Sequence, residues 1–206
     1  MKIIKYVILL SLATISYAEI DYNRYFLNCD KIIDNTYFKS CYNYNYRSTT
    51  ASYIELDGKV NINNIADRFE FYEETNIPTE YRVKSSDYTN SGFDRGHIQS
   101  DASNDYSIES RNSTYTMSNI TLQYPITNRR SYLKVEKRER ELLTFHNKIK
   151  SLTLIKYTDK KYKNISIPET YYKIFYNSSF IECYKIPNDN KSYKLDEMKI
   201  NCDSLL

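Results

Sequence analysis

At 206 residues the chain has room for one well-filled domain and too little for two full ones. Its 41% hydrophobic and 27% charged residues describe an ordered, water-soluble chain and exclude a disordered composition. The formal charge of +3 falls to about +1 when Lys2 and Lys5 leave with a leader, so only a local electrostatic case for nucleic-acid binding remains.

The first 18 residues have the composition of an export signal. Lys2 and Lys5 give a basic start, Tyr6 to Ile15 is a short apolar run, and Ser16-Tyr17-Ala18 places small residues before a cleavage site. That run is too short to span a bilayer comfortably, and a buried N-terminal helix is the alternative. Residues 19–206 are expected to form one domain, periplasmic or secreted, with no membrane anchor after cleavage. Four cysteines remain, none in a C-x-x-C pair, and with only His97 and His146 beside them a zinc cluster is disfavoured. In an exported chain an even count suggests disulfides, and proximity favours Cys29–Cys41 and Cys183–Cys202 among three possible pairings.

In chain order, Tyr37 to Tyr46 and Thr49 to Leu56 read as strands, followed by an Asp57-Gly58 turn signal and a short strand at Val60 to Ile62. Phe69 to Tyr72 is a short aromatic piece before a polar loop through Pro78. Gln99 to Thr114 is polar and turn-like. The best helix candidate starts near Asn128 and runs to about Lys148, rich in Leu, Lys, Glu and Arg and free of Gly and Pro. Leu152 to Tyr157, Tyr171 to Tyr176 and Phe180 to Ile186 read as strands, the last two joined by a hairpin turn at Asn177-Ser178-Ser179. Strands, one central helix and more strands predict a mixed α+β domain. The 23 Tyr and 8 Phe read first as the habit of an AT-rich genome, with a base-stacking stripe as the alternative.

Two places carry chemistry. In Asp94-Arg95-Gly96-His97 the alternation of an extended segment puts Arg95 and His97 on one face, and Gly96 permits close backbone approach. A guanidinium beside a neutral imidazole discourages protonation and suits a general base; a structural His in a charged turn is the alternative. On the predicted helix, Asn128, Tyr132, Glu136 and Arg140 recur at four-residue steps and share one face. A neutral amide oxygen suits Mg²⁺, which keeps several waters. Glu136 and Arg140 are spaced to pair along the helix. Residues 129–150 hold eight Lys or Arg against three Glu, a local excess that fits a phosphate-tracking surface.

These residues resemble the DNA/RNA non-specific endonucleases, the ββα-metal (His-Me finger) group that includes secreted bacterial nucleases and mitochondrial endonuclease G. Asp87-Tyr88-Thr89-Asn90-Ser91-Gly92-Phe93 runs into Asp94-Arg95-Gly96-His97 as in the family signature. Met117-Ser118-Asn119-Ile120 with Gln123 is similar to its Ser-Asn-Ile-x-Pro-Gln segment, with Leu122 where Pro is usual. Asn128, Tyr132, Glu136 and Arg140 fall where the family has its metal-binding Asn, an aromatic, and a helix Glu and Arg. The likeness covers about Cys29 to Asn188 and is strongest from Asp87 to Arg140.

The resemblance implies a ββα-metal fold with a mixed central antiparallel sheet and a catalytic helix. It implies His97 as the base, Asn128 as the direct ligand of Mg²⁺ (Mn²⁺ as substitute), and Arg95 and Arg140 on the phosphate. Glu136 would hold metal-bound water, Asn119 would support the His97 loop, and Arg68 would be a further phosphate contact. His146 is expected to lie beyond the active face. The implied activity is hydrolysis of DNA and RNA to 5′-phosphate ends with weak sequence preference. An exported phosphodiesterase of other specificity and a noncatalytic nucleic-acid-binding protein are the alternatives. A homodimer is compatible with the sequence and not required by it.

Overall fold

The computed structural model describes residues 20–58, 65 and 68–205. Seven strands form one antiparallel sheet in the order β1-β2-β3-β6-β7-β8-β9. They are β1 (Lys31–Asp34), β2 (Phe38–Asn43), β3 (Ser48–Asp57), β6 (Lys148–Tyr162), β7 (Ile165–Asn177), β8 (Phe180–Pro187) and β9 (Lys199–Ile200). A separate hairpin pairs β4 (Asp94–His97) with β5 (Ile120–Gln123). The helices are α1 (Ile108–Ser113), α2 (Leu133–His146) and α3 (Leu195–Met198). The chain is therefore α+β, and β4, β5 and α2 supply the expected ββα order.

Most expected strands lie inside observed ones. The Tyr37–Tyr46 strand ends early, at Asn43, because the Asn43 side chain accepts from Tyr46 N and Arg47 turns left-handed at φ 49° to enter β3. The Asn177-Ser178-Ser179 turn is present, with Asn177 Oδ1 accepting from both Ser179 N and Oγ at 2.8 Å. Phe69 to Tyr72 is an irregular segment joined to the fold at a Tyr72–Thr116 bridge. Gln99–Thr114 holds one short helix, α1, capped by Ser107 Oγ accepting from Ser110 N. Val60 to Ile62 and the leader lie outside the described residues.

The long helix exists, but its first turn is wide. Thr127–Tyr132 is π-helical and passes straight into α2, which stops where Asn147 turns to φ 63°. Side chains in that wide turn are anchored: Thr127 Oγ1 donates to Asp189 O, and Ser131 Oγ accepts from Tyr193 N. Single π turns recur at functional sites because they offset the side chains that follow.

Strand alternation splits the core between the two sheet faces. Tyr171 and Phe175 of β7 face α2, with Phe38, Leu56, Ile98, Tyr132, Val135, Leu143 and Tyr184. Ile174 and Tyr176 face the other way, against Ile20, Phe26, Tyr53 and Leu152. On that second face the two favoured disulfides form, Cys29–Cys41 and Cys183–Cys202, with Cα separations of 5.1 and 5.4 Å. The β4–β5 hairpin seats on the far end of β7, where Ile120 and Leu122 pack with Ile165, and Thr121 Oγ1 lies 2.9 Å from Tyr171 Oη.

Candidate active site

One cleft of about 630 Å³ opens between the β4 strand, the start of the long helix and the Arg68–Phe71 segment. Its walls include Arg68, Asp94, Arg95, His97, Asp101, Asn128 and Glu136. Strand and helix thus converge on one cleft.

Gly96 is what lets β4 lie so close to β5. A Cβ there would meet the Gln123 side chain at 2.1 Å, so no larger residue fits unless that side chain moves. Just past His97, the Ile98 backbone is held at both ends: its N–H donates to Asn119 O at 2.8 Å, and its carbonyl accepts from Tyr132 Oη at 2.9 Å. The wholly buried Asn119 side chain accepts from Gln99 N and donates to Gln99 O and Thr114 O. Asn119 is therefore outside the cleft, bracing the turn that leaves His97.

The His97 ring packs edge-on against Tyr115, 5.1 Å between centres, and beside Phe71 at 5.7 Å. Nε2 is buried with no hydrogen-bond partner. Burial pushes the imidazole down to about 4; Asp101 opposes the shift, and Arg68 and Arg111 add to it. The ring is neutral at pH 7, as a base must be. The expectation that Arg95 keeps it so needs correcting: Arg95 Nη2 donates to Ser85 O at 2.7 Å and its guanidinium lies against Phe71 and Tyr88, so burial and two other arginines do that work.

Asn128 sits in the π turn. Its Nδ2 donates to Asp94 Oδ2 at 2.9 Å, and Arg129 forks onto the same carboxylate at 2.8 and 2.7 Å. With the amide nitrogen committed, the carbonyl oxygen is the end a hard cation can use. Burial alone would raise the Asp94 pKa; hydrogen bonds from Arg129 and Asn128 outweigh it and hold it low. Among the described residues no group of three His, Cys, Asp or Glu is set to hold a metal, so a cation here would keep most of its waters. Asn128 oxygen and the Glu136 carboxylate fit that demand.

Glu136 lines the cleft with its carboxyl raised to about 7, chiefly by burial; Glu139 and Asp101 raise it further, and Lys173 and Arg140 pull it down. The anticipated Glu136–Arg140 ion pair does not form: no cation lies within 4 Å of Glu136 among the described residues, and Arg140 Nη1 is buried without a partner. Arg140 stands outside the cleft wall. The basic excess of the helix is also partly neutralised: Arg129 pairs with Asp94, Arg138 with Glu182 and Glu141, and Lys148 with Asp57. Arg130 and Lys137 remain exposed. His146 stacks on Phe180 at 4.1 Å, away from the cleft.

The sequence reading missed the Asp94 tie to Asn128, and also Asp101, which accepts from Tyr115 Oη at 3.1 Å and Arg111 Nη2 at 3.4 Å. Asp94 stood in the quoted motif; nothing local marked Asp101, whose neighbours are polar loop.

A model of the DNA/RNA non-specific endonuclease family matches residues 18–205. Mitochondrial endonuclease G of Bos taurus is 33% identical over 79 residues, 38% of this chain and 26% of that protein. A nuclease of Syncephalastrum racemosum is 39% identical over 67 residues, 32% of this chain and 21% of its own. The chain thus spans about a quarter of the length of the curated relatives it matches. A crystal structure of the EndoG/EndoGI complex superposes with a TM-score of 0.74 at 21% identity, over 84% of this chain and 81% of that one, and shows the same fold.

Proposed function

We propose, since this chain belongs to the DNA/RNA non-specific endonuclease family, that it is an exported, Mg²⁺-dependent endonuclease cutting DNA and RNA to 5′-phosphate ends. One observation carries the reading: His97, Arg95, Arg68, Asn128 and Glu136 line a single cleft. The neutral imidazole takes the proton of a water that attacks phosphorus in line, and the P–O3′ bond breaks on the opposite side. Since Nε2 is the buried nitrogen, Nδ1 is the one that works. Arg95 and Arg68 hold the nonbridging oxygens, and Arg140 adds positive potential from one helical turn beyond Glu136. Asn128 oxygen would ligate the cation directly and Glu136 would receive its waters. When bound, the cation supplies charge neutralisation at the phosphate and the departing oxygen. No dedicated base-edge reader is evident among the described cleft residues, which fits weak sequence preference.

Digestion of plasmid and RNA with and without Mg²⁺ tests this. Cleavage of both, abolished by EDTA, is expected, whereas turnover of a small chromogenic diester alone would sink the substrate assignment. His97→Ala should remain folded and lose nearly all activity. Export is supported by the composition of residues 1–18 and by two disulfides; an N-terminus at residue 19 in the exported protein would test it.

A further inference from the structure

Behind the cleft, α2 and the sheet enclose a charged pair that the chemistry above leaves unused. The side chains of Lys173 and Glu139 are 0% and 1% exposed, with Nζ 3.4 Å from Glu139 Oε2. Lys173 shares strand parity with Tyr171 and Phe175, so it points at α2 and lies 5.3 Å from the Tyr132 ring centre. The Glu139 carboxylate gathers donors from three elements. Ser103 Oγ, in the loop that leaves His97 and passes Asp101, is 2.5 Å from Oε1. Ser151 Oγ of β6, at 2.9 Å, and Lys173 Nζ of β7 meet Oε2.

Stability is a poor explanation for this arrangement. Desolvating two charges costs about what their attraction returns, and apolar residues of similar volume often serve as well. Location is the better clue. Among the described residues three other contacts join the helix to the His97 segment, Asn128–Asp94, Arg129–Asp94 and Tyr132–Ile98, and all lie at the π-turn end. Glu139 is seven residues beyond Tyr132, roughly 10 Å along the axis. A tie there stops the helix from pivoting about its first turn.

We propose that Glu139, clamped by Ser103, Ser151 and Lys173, is a positioning residue that fixes the angle of the Asn128–Glu136 helix against the His97 segment. This rests on the hydrolytic reading above, because water, phosphate and cation must be met from both sides with sub-ångström accuracy.

Three variants test it. Glu139→Leu with Lys173→Met keeps the volume and removes every tie. Glu139→Gln with Lys173→Met is neutral but keeps an acceptor for Ser103 and a donor toward Ser151. Ser103→Ala cuts only the loop arm. The Gln/Met pair should melt near wild type and the Leu/Met pair several degrees lower, because it leaves the Ser103 and Ser151 hydroxyls buried without their acceptor. The Leu/Met pair and Ser103→Ala should lose about tenfold or more in kcat on plasmid with KM unchanged, whereas the Gln/Met pair should return to within about threefold. Wild-type kcat in a folded Leu/Met pair would reduce the cluster to packing and overturn the proposal. If that pair fails to fold, wild-type kcat in Ser103→Ala overturns it instead. An inactive wild type would sink the hydrolytic reading itself, which the wild-type control separates from failure of the clamp.

Discussion

Two groups of opposite titration behaviour face the same cleft. Glu136 is raised to about 7, so in metal-free protein it favours the fold when protonated; that stability is full below about pH 4.5 and is lost as pH rises through about 7. His97 is depressed to about 4, so its contribution is present above about 6.5 and is lost as pH falls through about 4. The acid limb of kcat/KM should therefore sit near 7 when Mg²⁺ is scarce and move toward lower pH when it is saturating. Pre-steady profiles at two Mg²⁺ concentrations check this, and a limb indifferent to Mg²⁺ would contradict it. Glu136→Gln should raise the Tm measured in EDTA at pH 8 by a few degrees while cutting activity. Asp94→Asn should leave the fold intact and weaken apparent Mg²⁺ affinity about tenfold, since the Asn128 amide loses the charge that sets its orientation. A Mg²⁺ titration of activity reads that out.

At the scale of elements, the wide turn at Thr127–Tyr132 matters most, because it sets how the helix presents Asn128 against Tyr132. Tyr132→Phe would delete the bond to the Ile98 carbonyl inside the core, costing about 1 kcal/mol of stability by denaturant unfolding, with a larger proportional loss of kcat. Here the limits of the sequence are instructive. The helix was legible because fourteen residues without Gly or Pro present an apolar face. Its π turn was not, since Thr127 and Ser131 are fixed by backbone from Asp189 and Tyr193, some sixty residues away. β1 and β9 are short edge strands, with Ile32 of β1 exposed, so neither shows clean alternation. The Asp94-Arg95-Gly96-His97 motif was readable because β4 and its neighbours are contiguous in sequence. The real distribution of arginines was not: Arg129 and Arg138 spend their charge on Asp94 and Glu182, while Arg95 is held by the neutral Ser85 carbonyl and keeps its charge.

Across the whole molecule, reinforcement and chemistry occupy opposite faces of the large sheet. Both disulfides lie with the cluster around Leu152 and Ile174, while the cleft belongs to the α2 side. Replacing either cysteine pair with Ser should remove about 2–4 kcal/mol from unfolding stability yet leave kcat at 25 °C within about twofold. Loss of turnover in a variant that is still folded would show that the two faces are coupled.

The aromatic cover over His97 has a consequence for heat. Phe71 belongs to a stretch moored by two main-chain bonds at the bridge, Tyr72 N to Tyr115 O and Met117 N to Tyr72 O. Should that mooring slip on warming, water reaches the imidazole, which regains its ordinary basicity and begins to charge near neutrality. The proposed site would then be disarmed by an extra proton several degrees before the sheet melts, an inactivation that cooling reverses.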